Sequence, residues 1–408
     1  MAMIHTGGPT TERKHQNESQ ARIKNYISYA VLLTACVLLF VPLISSLSAI
    51  GGDYKLHLQW AGEIETSHII NLPHPLYHIL AILVKTALAT NYIQASTIVI
   101  VASIFFLAIL NYRILLSHTS PSIATAFSLS LLIITPIQLF YFTDHHLYFG
   151  YIGISIYHSP TMLLLKPLSL LVFYYTLKSS DGSSINKWPI GVALALSLFF
   201  CGISKPNFLI VVLPAFLAFL LLTGKFKLTL SRAHIYLCFF LPILTVLSLQ
   251  FFQTFVLQDI SKVTKDAENH IVFMPFETVS HYSSYLLPKL LLSITFPLSI
   301  FLLYPKQYIK DNEVIFALLC LFIGATFMYF FAESGGRMYH GNFWWSGQIG
   351  LYLTFLFSVS FLLKNFDTLT RTRYEKTKYA ICFCIFFLHF LSGVFFYNQE
   401  LFFYSKHW

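Results

Sequence analysis

The sequence predicts an all-α protein threaded repeatedly through a membrane, and three observations carry that expectation. Of its 408 residues 56% are hydrophobic and only 11% charged, with a mean hydropathy of +0.67, where a soluble globular chain carries about 25% charged residues. Apolar runs long enough to cross hydrocarbon as a helix, about 20 residues, recur along the whole chain. The basic residues are sorted between alternate connections, as in a polytopic protein whose positive loops stay inside. The net charge of +9 is therefore a statement about topology, and no nucleic-acid partner is expected.

A polar tail at 1–25 precedes the first apolar run at 26–48. Further spans are expected at 92–112, 122–142, 160–177, 188–204, 206–223, 233–256, 288–304, 314–331, 344–363 and 379–396, eleven with the first, in one transmembrane domain over 26–396 followed by a tail at 397–408. Small residues in "SSLSA" near the end of the first run look like a cleavage site. The run exceeds the roughly 7–15 apolar residues of a signal peptide, however, so an uncleaved span is expected. With the N-terminus in the cytoplasm, most lysines and arginines fall inside, among them Arg22, Lys24, Arg113, Lys178, Lys225 and Arg232. That orientation puts the C-terminus outside a plasma membrane of the bacterial inner type.

"HPLYHILAILVKTAL" (74–88) is apolar too, but a crossing there would carry Arg113 and the Lys178/Lys187 connection outside. It is expected instead as a helix lying in the interface, begun by His74 and Pro75, within a first outer loop at 50–91. Whether 188–223 forms two spans or one helix broken at "SKPN" stays open. All six cysteines fall inside spans, which speaks against a disulfide framework or a cysteine zinc site.

The outer connections gather the acids and histidines. "SAIGGDYKLHLQWAGEIE" places Asp53 directly after the first span. Gly51 and Gly52 free the backbone there, and partial desolvation would raise a carboxylate's proton affinity toward general-base work. His57 lies one turn on, whereas Glu63 and Glu65 read as surface groups. "TDHH" supplies Asp144, His145 and His146, oxygen and nitrogen donors for a divalent cation such as Mg or Mn, or else a polar cap at the interface. In "SKPN" Lys205 precedes a helix-breaking proline, and Lys166 lies deeper in "LLLKPLSLL". Ionisable groups at membrane depth point to function, with snorkelling as the bland reading. "ESGGRMYHGN" brings Arg337, His340 and Asn342, and a guanidinium fork suits a phosphate; pairing with Glu333 is its structural alternative. The connection 257–287 carries Asp259, Asp266 and Glu268 and is long enough for a lid, with Glu277 and His281 as its candidate site groups.

This layout resembles the GT-C superfamily of polyprenyl-phosphate-dependent membrane glycosyltransferases, which includes protein O-mannosyltransferases, aminoarabinose transferases of lipid A and oligosaccharyltransferase catalytic subunits. The resemblance rests on the acid after the first span in "GGDYKLHLQWA", on "HPLYHILAIL" as an interfacial helix, on "TDHH" after the third span and on "SKPN" at a helix break. It covers roughly 30–210 by motif and the rest by topology. It implies Asp53 as catalytic base or metal contact, Asp144 with His145 or His146 at a metal, and Arg337, with Lys205 second, on the donor lipid phosphate. The implied reaction moves a sugar from a polyprenyl-phosphate donor to a lipid-linked or cell-surface glycan acceptor, with inversion. Two other classes compete. O-antigen polymerases or ligases usually rely on arginine-rich outer loops, and here Arg337 stands alone. A transporter would show duplicated halves and polar groups at mid-bilayer, and the chain has no internal duplication.

Overall fold

The computed structural model describes residues 9–70, 72–181, 187–253 and 270–407, with side-chain detail absent for 9–19, 21 and 405–407. The described residues are predominantly helical. The first helix, α1 (Pro9–Ile50), is followed by α2 (Asp53–Ser67) and α3 (Leu76–Leu88). The return helix α4 (Tyr92–Leu116) starts on an Asn91–Gln94 capping box, which satisfies two orphan amides reciprocally. Ser48 meets Ser96 at 3.0 Å and Tyr112 donates to Asn25 at 2.8 Å, so α1 and α4 run antiparallel. These contacts define two ends of the bundle, an Asp53 end and a basic end.

Next come α5 (Pro121–Ile133), α6 (Tyr141–Asp144), α7 (Pro160–Ser180), α8 (Trp188–Ser204) and α9 (Asn207–Leu222). The short α10 (Phe226–Leu230) and α11 (Ala233–Ile235) lead through a π-helical turn, Tyr236–Phe240, into α12 (Leu241–Phe251). The strand β1 (Ile271–Phe273) and the single turn α13 (Glu277–Ser280) precede α14 (Leu286–Leu303), α15 (Pro305–Tyr308) and α16 (Asn312–Phe330). The strand β2 (Phe331–Glu333) pairs antiparallel with β1, Val272 opposite Ala332. A 3₁₀ turn (Gly335–Arg337), α17 (Trp344–Lys364), α18 (Phe366–Leu369) and α19 (Arg373–His407) complete the fold. At α16 and α17 a Cβ on Gly350 would stand 2.6 Å from Leu321 Cα, so glycine lets these helices pack backbone to backbone, the usual route to tight helix pairs in lipid.

Among the described residues eight helices are long and apolar enough to cross a membrane, including Arg22–Ile50, Tyr92–Leu116, Ala233–Phe251 and Arg373–Tyr404. The chain is therefore an all-α, multi-pass membrane protein. Three of the eleven expected spans are shorter: Pro121–Ile133, Trp188–Ser204 and Asn207–Leu222. The stretch 188–223 is two helices meeting at a break, Lys205 in extended geometry between them. Leu76–Leu88 is likewise short and apolar.

The expected span at 122–142 needs correcting. Its helix stops at Ile133, nine residues early, because Pro136 cannot donate and biases Thr135 away from helical geometry. Unwound backbone inside a membrane bundle persists only where protein satisfies it, and α19 does so. Thr135 O meets His389 Nδ1 at 2.8 Å, Ser392 Oγ donates to Pro136 O at 2.7 Å, and the Gln138 amide donates back to Ser392 at 2.9 Å. Leu132 O accepts from Ser155 and Tyr157. The C-terminal helix thereby replaces the missing turns of α5.

Candidate functional site

At the Asp53 end the chain leaves α1 through Gly51 and Gly52 and starts α2 on Asp53. Gly52 holds φ +63° and ψ −143°, a conformation essentially restricted to glycine. A Cβ there would also overlap the hydroxyl of Tyr404 near the end of α19. Two distant parts of the sequence thus fix where the Asp53 carboxylate stands. Asp53 is half-buried, and no hydrogen bond or ion pair engages it among the described residues. Its charge acts on Lys205, His158, Tyr54, Tyr148 and Tyr404.

Lys205 reaches this place because Pro206 ends α8. Its amide still donates to Cys201 O at 3.0 Å, after which the backbone is extended and the side chain turns into the recess. The ammonium lies 3.4 Å from Thr161 Oγ1 and 4.3 Å from the centre of the Trp345 ring, a cation–π contact. Burial draws Lys205 down to about 8, the Asp53 charge opposing that loss and Arg337 adding to it.

Three histidines complete the wall. Burial pulls His158 down to about 4 and His74 to about 3, Lys205 contributing to both. His57 is likewise held well below its usual range by burial and then by His78, His74 and Lys205. All three are therefore neutral at pH 7, hydrogen-bonding groups rather than charges. His57 Nδ1 lies 3.0 Å from His78 Nε2, and Trp60 sets its ring edge-on to His57 at 5.2 Å.

Arg337 arrives through an interlock of two motifs. Asn207 of "SKPN" donates to Asn342 O at 2.7 Å, and Asn342 Nδ2 donates to Glu333 at 2.8 Å. Arg337 Nε contacts the same Glu333 oxygen at 2.9 Å, so the expected pairing with Glu333 is formed. Made through Nε, it leaves the terminal nitrogens of the fork on a side chain that is still 21% exposed. The Arg337 charge acts on both Lys205 and His74. Asp53, Lys205, Arg337 and His57 thus lie near one another at the Asp53 end, Lys205 sensing the charges of Asp53 and Arg337 and acting on His57.

The other sequence candidates lie apart from this group. Asp144 forms an ion pair with Lys289 and accepts from Ser283 and from the His146 amide. Burial raises its proton affinity, but these partners more than offset that and hold the carboxyl below its ordinary range. His145 is exposed in a left-handed cap (φ 58°), and the His146 ring stands edge-on to Phe149. Among the described residues no three His, Cys, Asp or Glu side chains converge to hold an ion, and Asp144 as placed serves an internal pair. Glu277 and His340 are exposed, and His281 stacks on Tyr339 with ring centres 4.0 Å apart. Glu65 is tied to Lys85 and Tyr92, Glu63 accepts from Gln59, and Lys166 donates to Ile154 O inside the bundle. Asp259, Asp266 and Glu268, the heart of the expected lid, lie outside the described residues.

Sequence reasoning missed His158, the wall role of His74, and Glu400, whose side chain is only 1% exposed. Glu400 acts on Tyr54, Tyr148 and Tyr404, the same hydroxyls that sense Asp53. For Glu400 and His158 a signal existed: an acid within the apolar "NQELFFY" run, and a histidine directly ahead of the helix-starting Ser159-Pro160. No family model matches this chain, and no curated protein is significantly similar to it in sequence.

Proposed function

We propose that this protein is a membrane glycosyltransferase of GT-C type, working at the outer face of a plasma membrane on a polyprenyl-phosphate-linked sugar. One observation carries the reading: Asp53, a carboxylate unpaired among the described residues, acts by its charge on Lys205, which also feels Arg337, so one acid and two cations from different parts of the chain lie together. In that arrangement Asp53 takes the proton of an acceptor hydroxyl as its oxygen attacks the anomeric carbon. The bond from that carbon to the phosphate oxygen breaks, its electron pair leaves with the lipid phosphate, and the ammonium and guanidinium stabilise the departing charge. Attack opposite the leaving group inverts the anomeric centre. The neutral histidines offer hydrogen bonds to sugar hydroxyls without competing for the phosphate. The acceptor in this reading is a lipid-linked or cell-surface glycan.

Eleven crossings with the N-terminus inside complete the proposal, the three shorter helices included, and put the basic end in the cytoplasm. The test is transfer of labelled sugar from a polyprenyl-phosphate donor by purified full-length protein. Asp53→Asn is expected to lower turnover by about 10²–10⁴-fold, the usual worth of a general base, with donor binding retained. Full activity in that variant removes Asp53 from the reaction.

A further inference from the structure

At the basic end, opposite the Asp53 recess, α4, α7, α9, α16 and α17 enclose a cavity of about 630 Å³, within the roughly 300–1,000 Å³ of small-ligand sites. Its wall is divided in character. Toward the end of the bundle stand Arg113 in the last turn of α4, Lys178 in the last turn of α7 and Lys225 just after α9, with Asp181 and Glu313 in the same lining. Deeper in, the lining is apolar, with Leu110, Leu170, Phe173, Phe219 and Phe357. Tyr174, 39% exposed, stands at the side of the cavity with the Lys178 ammonium over its ring at 5.1 Å.

The rim adds further cations. Lys187 donates to Lys178 O at 3.1 Å, and Arg232 donates to Ser179 O and Asp181 O at 3.4 and 3.3 Å. Both therefore close the end of α7 through backbone carbonyls. Burial pulls Lys187 down, Asp181 opposing it, and Arg232 and Lys178 adding to the fall, as expected where cations crowd together.

We propose that this cavity binds one anionic diacyl phospholipid of the adjoining leaflet, its phosphate on Arg113, Lys178 and Lys225 and the upper part of one acyl chain along Phe173 and Phe219. A soluble anion would use only the charged mouth, and a zwitterionic lipid would bring its own cation to a site already rich in them. The apolar depth and the cationic mouth are satisfied together only by a ligand that has both parts. Nothing in this inference depends on the role given to Asp53.

The test is native mass spectrometry of the purified full-length protein in detergent, titrated with dioleoyl phosphatidylglycerol, dioleoyl phosphatidylcholine or inorganic phosphate. One phosphatidylglycerol should be retained with at least tenfold preference over phosphatidylcholine, and inorganic phosphate should not displace it. Combined Arg113→Gln, Lys178→Gln and Lys225→Gln should abolish the preference. Lys225→Gln alone, at a half-buried position beyond the end of α9, should reduce it several-fold, and Lys306→Gln, outside the cavity, should leave it unchanged. Equal retention of the two lipids, unaltered binding in a folded Lys225→Gln variant, or displacement by inorganic phosphate would each overturn the proposal.

Discussion

Replacing Gly52 by alanine tests whether the start of α2 sets the position of Asp53. At φ +63° and ψ −143° a residue with a Cβ costs about 1–3 kcal/mol in backbone strain. The added methyl also overlaps the Tyr404 hydroxyl, and forced overpacking of this kind costs a further ~1–3 kcal/mol. The two costs are separable. In Tyr404→Phe the overlapping oxygen is gone and the nearest remaining ring atom, Cζ, lies 3.4 Å from the new methyl, the edge of ordinary contact. Gly52→Ala should therefore lower thermal stability in detergent and reduce kcat/KM for sugar transfer by about 10²-fold, the cost of misplacing a reacting group by about 1 Å. Adding Tyr404→Phe should restore the overpacking share and leave the strain, a non-additive cycle expected of residues in contact. If Gly52→Ala matches the wild type, or if the double variant recovers nothing, the two contacts do not position the carboxylate.

Three further outcomes follow from the same geometry. The Lys289 side chain is fully buried beside Asp144, so Lys289→Met should destabilise by about 3–5 kcal/mol by stranding a carboxylate, while Lys289→Met with Asp144→Leu should recover most of it; equal thermal unfolding of the single and double variants refutes this. Lys205, drawn down to about 8, is charged below that pH and neutral above it. Donor KM should accordingly rise as pH passes about 8, and Lys205→Arg should move the rise upward; an unchanged profile removes Lys205 from phosphate binding. His74 and His158 are held at about 3 and about 4, below the ~6.5 of an unfolded histidine. As pH falls below 6.5 the unfolded chain takes up protons that the native protein does not, so stability is lost from there toward pH 4. A melting temperature that stays level between about pH 7.5 and 5 contradicts that assignment.

Much of the architecture is legible in composition, because hydrocarbon imposes a length and a polarity on each crossing that local sequence must meet. The first span and the break at "SKPN" follow from apolar run length and a proline. The early end of α5 was within reach as well, since "ITPIQ" carries Pro136, but the reason the unwound backbone is tolerated was not. That reason lies more than 250 positions away, in His389 and Ser392. Candidate residues divide in the same way. Asp53, Lys205 and Arg337 announce themselves by chemical type beside glycines or a proline, while Asp144 is equivalent to Asp53 in sequence and differs from it through its ion pair with Lys289.

By itself, then, the sequence determined that this chain crosses a membrane many times, that it is helical, and that most of its acids and histidines fall in alternate connections. Those properties are sums over local stretches, set by transfer of side chains and backbone between water and hydrocarbon. Only the tertiary structure decided which of the collected groups lie together, that Asp144 is paired with Lys289 while Asp53 has no partner among the described residues, and that Glu400 and Tyr404 near the end of α19 stand beside the residues that open α2. Contacts between helices remote in sequence depend on packing and on burial of paired charges, and neither is written in any one segment.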